Sequence, residues 1–197
     1  MLFRSASTFL LAGCPGGEQG GAYISDLEKV QNNHMDLPEP RRHYFNGVQY
    51  ELSKIFYNHY NDEYVISDVY DLSMNDEMNL YFSIESFDLI DAEEFQFEFE
   101  DSLSLLDAVH DHYAIKRNAS LEEATVSIKK NVPKSVGYPG VMQTISGSTY
   151  RGSTPNSYFF STIELKDQII VVQLIGRQEN MGYLYDDFID IISSISI

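Results

Sequence analysis

Only one cysteine, Cys14, occurs in the 197 residues, so an intramolecular disulfide is excluded. Basic residues are scarce as well: thirteen Lys and Arg stand against thirty Asp and Glu, a formal charge of −17 at pH 7. Such a surface repels phosphate backbones and anionic lipid headgroups, which argues against nucleic acid as a partner. A basic protein partner, or plain solubility, suits it better. Tryptophan is absent, and no apolar run approaches the roughly 20 residues that a membrane-spanning helix needs. There is no Gly-x-Ser-x-Gly elbow, no Gly-x-x-x-x-Gly-Lys-Ser phosphate loop, no Gly-x-Gly-x-x-Gly and no His-Glu-x-x-His. With thirty carboxylates an acid–base pair is easily imagined, but such a pair is defined by separation in space rather than in sequence. The expectation is therefore a protein with no catalytic residues, no metal and no cofactor.

What is present is a folded body. Fourteen Tyr and twelve Phe bring the aromatic share to 13%, far from the composition of a disordered acidic tail. The length fits one domain and is enough to bury a core.

At the amino terminus Arg4 precedes a short apolar stretch through Phe9 and Leu10 that runs into Leu11-Ala12-Gly13-Cys14. This segment resembles a bacterial lipoprotein signal with its lipobox. The resemblance implies that residues 1–13 are a signal peptide cleaved before Cys14, and that Cys14 is lipidated. Several acyl chains, each buried methylene contributing about 0.8 kcal/mol, would hold such a protein on a membrane without any basic patch. Losing residues 1–13 removes Arg4 alone among the charged groups, so the mature charge is −17 − 1 = −18. By the same resemblance, Pro15 after Cys14 carries no inner-membrane retention signal, which points to the outer membrane facing the periplasm. The competing reading is a cytosolic segment with a chance Leu-Ala-Gly-Cys. From Cys14 to Pro40 the chain is rich in Gly pairs and polar residues and ends in Pro38-Glu39-Pro40, the pattern of a tether. The domain proper is 41–197.

Its organising stretch is the last forty residues. Tyr158, Phe159, Phe160, Thr162 and Ile163 predict a strand, and Lys166-Asp167 a turn. Ile169 to Ile175 is apolar except for Gln173, which predicts a central strand covered on both faces. Beyond Gly176 and a polar loop, Leu184, Phe188, Ile191, Ile192 and Ile195 fall three or four apart, one face of a closing helix packed on that hairpin. This hairpin, polar loop and helix ending in Phe-Ile-Asp-Ile-Ile-Ser-Ser-Ile resemble the C-terminal end of the PsbP-like and DcrB-like superfamily. The resemblance covers Pro40 to Ile197. It implies an antiparallel sheet flanked by helices, in small envelope or extrinsic proteins that bind or stabilise other components.

Upstream, Asn46-Gly47 between aromatic and β-branched residues predicts a hairpin. Tyr64–Tyr70 and Leu80–Ile84 read as strands separated by a polar connection at Ser73–Asn79. Phe95, Phe97 and Phe99 alternate with Gln96, Glu98 and Glu100, the period of a half-buried strand. A helix is expected from near Ser102, capped by Asp101 or Ser102, and a second from Ser120, whose Ser-x-x-Glu pattern suits a capping box closed off by Pro133. Val136–Tyr150 reads as irregular strand. The fold class is α+β: an antiparallel sheet flanked by helices, ending in a β-hairpin and a C-terminal helix.

Few residues invite a functional role. His110 and His112 are two apart, about 200 degrees around a helix, so they cannot share a metal ion and are read as one inward and one solvated. Asp71, Ser73 and Asn75 have calcium-loop spacing, but Asp76 and Phe82 stand where Gly and Glu are required. Glu94, Glu98 and Glu100 form an acidic row suited to a cationic partner, the plainer reading being the wet side of a strand. Arg151, in the loop Gly147–Pro155 that repeats Gly-Ser-Thr, is a candidate recognition residue, though Gly and Ser also serve any strand connection. Two functions follow. One is a lipid-anchored envelope protein with a noncatalytic binding role, as an immunity-type or accessory factor. The other is an envelope hydrolase whose dispersed Asp, His and Ser residues gather only in the fold, His110, His43 or His59 among them.

Overall fold

The computed structural model describes residues 41–52, 64–66, 70–75, 80–98 and 104–197. The expected signal segment 1–13, Cys14, the expected tether 14–40, His59, Phe99, Glu100, Asp101 and Ser102 lie outside the described residues.

Strands β1 (Arg41–Phe45) and β2 (Val48–Leu52) form the expected hairpin. Asn46 and Gly47 both take positive φ, 45° and 77°, which matches the right-handed twist of the flanking strands. The main sheet holds β3 (Tyr64–Ile66), β4 (Tyr70–Asn75), β5 (Leu80–Asp88), β6 (Glu122–Val126), β7 (Lys130–Asn131), β8 (Gly140–Ser148), β9 (Asn156–Glu164) and β10 (Gln168–Arg177). Their order is β3-β4-β5-β10-β9-β8-β6, with β7 also on β8, and every pairing is antiparallel. Three helices complete the fold: α1 (Leu89–Glu98), α2 (Leu105–Ala119) and α3 (Met181–Ser193). The class is α+β with an antiparallel sheet, ending in hairpin and helix.

β10 is central, between β5 and β9, because both of its faces are apolar. Ile170, Val172 and Leu174 meet Leu184, Phe188, Ile191 and Ile192 of α3 and Val48, Tyr50 and Leu52 of the hairpin. Ile169 and Val171 point the other way, into a second core with Ala92 of α1 and Leu106, Val109 and Tyr113 of α2. The sheet therefore has α1 and α2 on one face, and α3 with the β1–β2 hairpin on the other. The hairpin is fastened by the chain end, where Gln49 and Ser196 exchange backbone hydrogen bonds of 2.8 and 2.9 Å and the Glu51 amide donates to Ser194 Oγ at 2.8 Å.

Four sequence expectations need correction. Residues 89–98 are helix, not the strand that the Phe alternation suggested. The Asp91 amide donates to Asp88 Oδ1 at 2.8 Å, capping the first turn, and Phe95 packs edge-on against Phe87 and His112 while Ala92 is sealed beneath. Ala92 and Phe95 are three apart, so an inward helical stripe outcompetes the period of two. Ser120 does not begin a helix. It ends α2, its amide donating to the Arg117 carbonyl and the Leu121 amide to that of Asn118, and the chain turns back as β6 to cover the edge of β8. Pro133 accordingly precedes a single 3₁₀ turn, Lys134–Val136, rather than closing a helix. Residues 73–75, expected in a connection, extend β4 beside β5. Finally, α2 is capped by Ser104, whose Oγ accepts from the Asp107 amide at 3.1 Å, rather than by Asp101 or Ser102.

Candidate functional site

Two arrangements on the α1/α2 side of the molecule carry chemical character. The first is the outer surface of α1. Asp88, Asp91, Glu93 and Glu94 are all exposed, and among them Ile90 is 76% exposed. Glu98 lies one turn on from Glu94 in the same helix, so these two acids share a helix rather than a strand face. The sequence of α1 contains four acids and no base, and Asp91, Glu93 and Glu94, with Asp88 before them, make an exposed negative surface that also carries Leu89 and Ile90.

The Gly147–Pro155 loop, expected as a recognition loop, is elsewhere. Arg151 is exposed in a tight turn held by Ser153, whose amide and Oγ both donate to the Tyr150 carbonyl, at 3.0 and 2.8 Å. That turn precedes Asn156, which pairs with Arg177 at one end of β10, whereas Asp88 at the root of α1 pairs with Gln168 at the other. Arg151 and Glu94 are thus not brought together.

The second arrangement is a polar chain laid on the sheet between β5, β10 and α2. Gln173, the one interruption of the apolar run, is fully buried. Its Nε2 donates to Glu85 Oε1 at 3.0 Å, and its Oε1 accepts from Arg117 Nε at 3.0 Å. The other Glu85 oxygen accepts from the Tyr113 hydroxyl. Burial, then the neighbouring Glu85 charge, pushes the Tyr113 hydroxyl well above its ordinary range, so it stays a donor. The Arg117 guanidinium lies over the Tyr158 ring, 5.2 Å from its centroid. Sequence reasoning missed Glu85, Tyr113 and Arg117. The signal was Gln173, an amide in a strand that otherwise needs none.

Beside this chain His110 is sealed at 0% exposure, stacked on Phe160 with Nδ1 3.1 Å from Thr162 Oγ1. Burial first, and the Lys129 charge second, hold its imidazole down to about 4, against Asp111, Gln143 and Asp107. Lys129 bridges Asp107 and Asp111 at 2.9 and 2.8 Å. Burial pushes Asp107 up, but the Lys129 and Ser104 hydrogen bonds outweigh it and hold that carboxyl below its usual value. His112 turns away to meet Phe95, so the two imidazoles diverge as their spacing requires. His43 stacks on Tyr50 in the hairpin, on the other side of the sheet from His110. Among the described residues no group of three His, Cys, Asp or Glu is placed to hold a metal ion.

No protein-family model and no curated protein sequence matches the chain. Among solved structures it is similar to the Ran-binding protein Mog1p of Saccharomyces cerevisiae, at TM-score 0.47 and 9% identity over 81% of this chain and 96% of that one. It is also similar to PA94 of Pseudomonas aeruginosa, a protein of unknown function described as a putative regulator, at TM-score 0.44 and 8% identity over 81% and 98% of the two chains. LpqN of Mycobacterium tuberculosis, involved in cell envelope biogenesis, aligns at TM-score 0.39 and 13% identity over 82% and 81%. At such scores these likenesses carry no argument about what this chain binds.

Proposed function

We propose that this chain is a lipid-anchored bacterial cell-envelope protein, held on the outer membrane by Cys14, that binds a basic protein partner without catalysing a reaction. The observation that carries the binding half is the exposed α1 surface, with Asp88, Asp91, Glu93 and Glu94 around Ile90. A basic partner would be drawn to these acids over a Debye length and would cover the exposed Leu89 and Ile90 on contact. The anchoring half rests on the Leu11-Ala12-Gly13-Cys14 pattern. No helix among the described residues is long and apolar enough to cross a membrane, so in this reading attachment falls to Cys14.

The test has two stages. Intact mass and membrane fractionation compare the wild type with Cys14→Ser, and lipidation with membrane retention is expected only for the wild type. A full-length soluble wild type with a free thiol would remove the anchor. Crosslinking in envelopes then compares the wild type with a Glu93→Lys, Glu94→Lys double variant. Capture of a basic protein should drop at least roughly tenfold on charge reversal and weaken as salt rises. Capture indifferent to both would refute the acidic-surface reading.

A further inference from the structure

A buried amide joined to a carboxylate is not what a sheet needs for stability, since well-packed apolar residues of similar volume serve as well or better. Glu85, Gln173, Tyr113 and Arg117 nevertheless form one connected chain in which each contact fixes the next: Tyr113 and Gln173 occupy the two Glu85 oxygens, and Gln173 then has only its Oε1 to offer Arg117. The end product of this chain is a guanidinium held in a defined plane, its Nε engaged by Gln173 and one face resting on Tyr158. The Arg117 guanidinium makes no ion pair and no other hydrogen bond among the described residues. Among the described residues nothing engages its two terminal amino groups, four N–H donors in a fixed fork.

We propose that Arg117 is the recognition residue of a site for a small carboxylate bearing an apolar body. A planar carboxylate matches the guanidinium fork with two parallel hydrogen bonds. The apolar body is suited by Ile175, which is half-buried on the same sheet face, directly beside Tyr158 on β9 and Tyr81 on β5. Gln173 stands between the guanidinium and Glu85, whose charge is already engaged by two donors, so the anion meets the fork rather than the carboxylate. Preorganisation gives the site its affinity: the long Arg side chain is ordered before the ligand arrives, and that entropy is not lost on binding. The proposal is independent of the anchor and of the acidic helix.

The experiment uses sodium benzoate as the probe, titrated into the full chain by calorimetry and followed at the Arg117 Nε–H by NMR. Saturable binding with a shift of that resonance is expected for the wild type, with Arg117→Lys at least roughly tenfold weaker because a point charge replaces the fork. Arg117 is half-exposed in the last turn of α2, so the Lys variant should fold, which its thermal midpoint verifies. Ile175→Ser should weaken benzoate while leaving acetate unchanged. Absence of saturable benzoate binding by the wild type, or equal binding by folded Arg117→Lys, overturns the proposal.

Discussion

His110 shows how one buried ring makes stability depend on pH. Its Nδ1 has Thr162, but its Nε2 is buried with no hydrogen-bond partner among the described residues, and protonating that nitrogen would set a second positive charge near Lys129. The folded imidazole is held at about 4 against an ordinary 6.5. Between these values the unfolded chain binds a proton that the folded chain refuses, so stability falls as pH drops through that window, by about 3 kcal/mol in total. Below about 4 this group adds no further slope. Asp107 also loses its contribution on acidification, but as a lowered carboxylate it does so only below its ordinary value of 3.8, outside the window. Urea midpoints of wild type and His110→Gln between roughly pH 7 and pH 4 should show the slope in the wild type and a flattened one in the variant. An unchanged slope would assign it to other groups. The divergence of His110 and His112 was legible from their spacing of two, but which ring turns inward was not, and His112, expected in solvent, is half-buried against Phe95 and Tyr113. That the inward ring would rest on Phe160 and Thr162 was not legible either, because β9 is about fifty residues away in sequence.

At the scale of elements, caps decide boundaries. Ser104 Oγ accepts from the Asp107 amide and donates to Asp107 Oδ2 at 2.9 Å, so it settles both the helix end and a carboxylate. Ser104→Ala should cost about 1 kcal/mol, a fall in thermal midpoint of roughly 2 to 4 °C in a chain this long. No change on melting would mean that packing of Leu106, Val109 and Tyr113 alone sets where α2 begins. The start of α2 was readable to within a few residues because its apolar spacing is helical and acids precede it. α1 and β6 were misread for a shared reason. Three Phe at alternate positions and a Ser-x-x-Glu box are local patterns, and both were overridden by contacts with distant partners, Phe95 with Phe87 and His112, and β6 with the edge of β8.

For the whole molecule, −17 charges on one small body repel one another, and the folded state holds them closer than the unfolded chain does. Sodium chloride, which shortens the screening length to about 8 Å near physiological strength, should raise the thermal midpoint from its low-salt value. The same salt should weaken capture of a basic partner, so stability and binding move in opposite directions along one titration. A midpoint that falls with sodium chloride would show that attractive pairs such as Lys129 with Asp107 and Asp111 outweigh the general repulsion.

The sequence by itself determined the class of the fold, the Asn46-Gly47 hairpin, the central position of β10 and the closing helix, since each rests on periodicity or turn chemistry within a few residues. Gln173 was visible as an anomaly. Only the tertiary structure decided what that anomaly serves: it places Glu85 from β5 and Tyr113 and Arg117 from α2 around one amide of β10. The hydrogen-bonded partners are 28 to 88 positions apart in the chain, and no local signal joins them. Hydrogen-bond partners are chosen by sheet order and helix placement, which are properties of the packed whole.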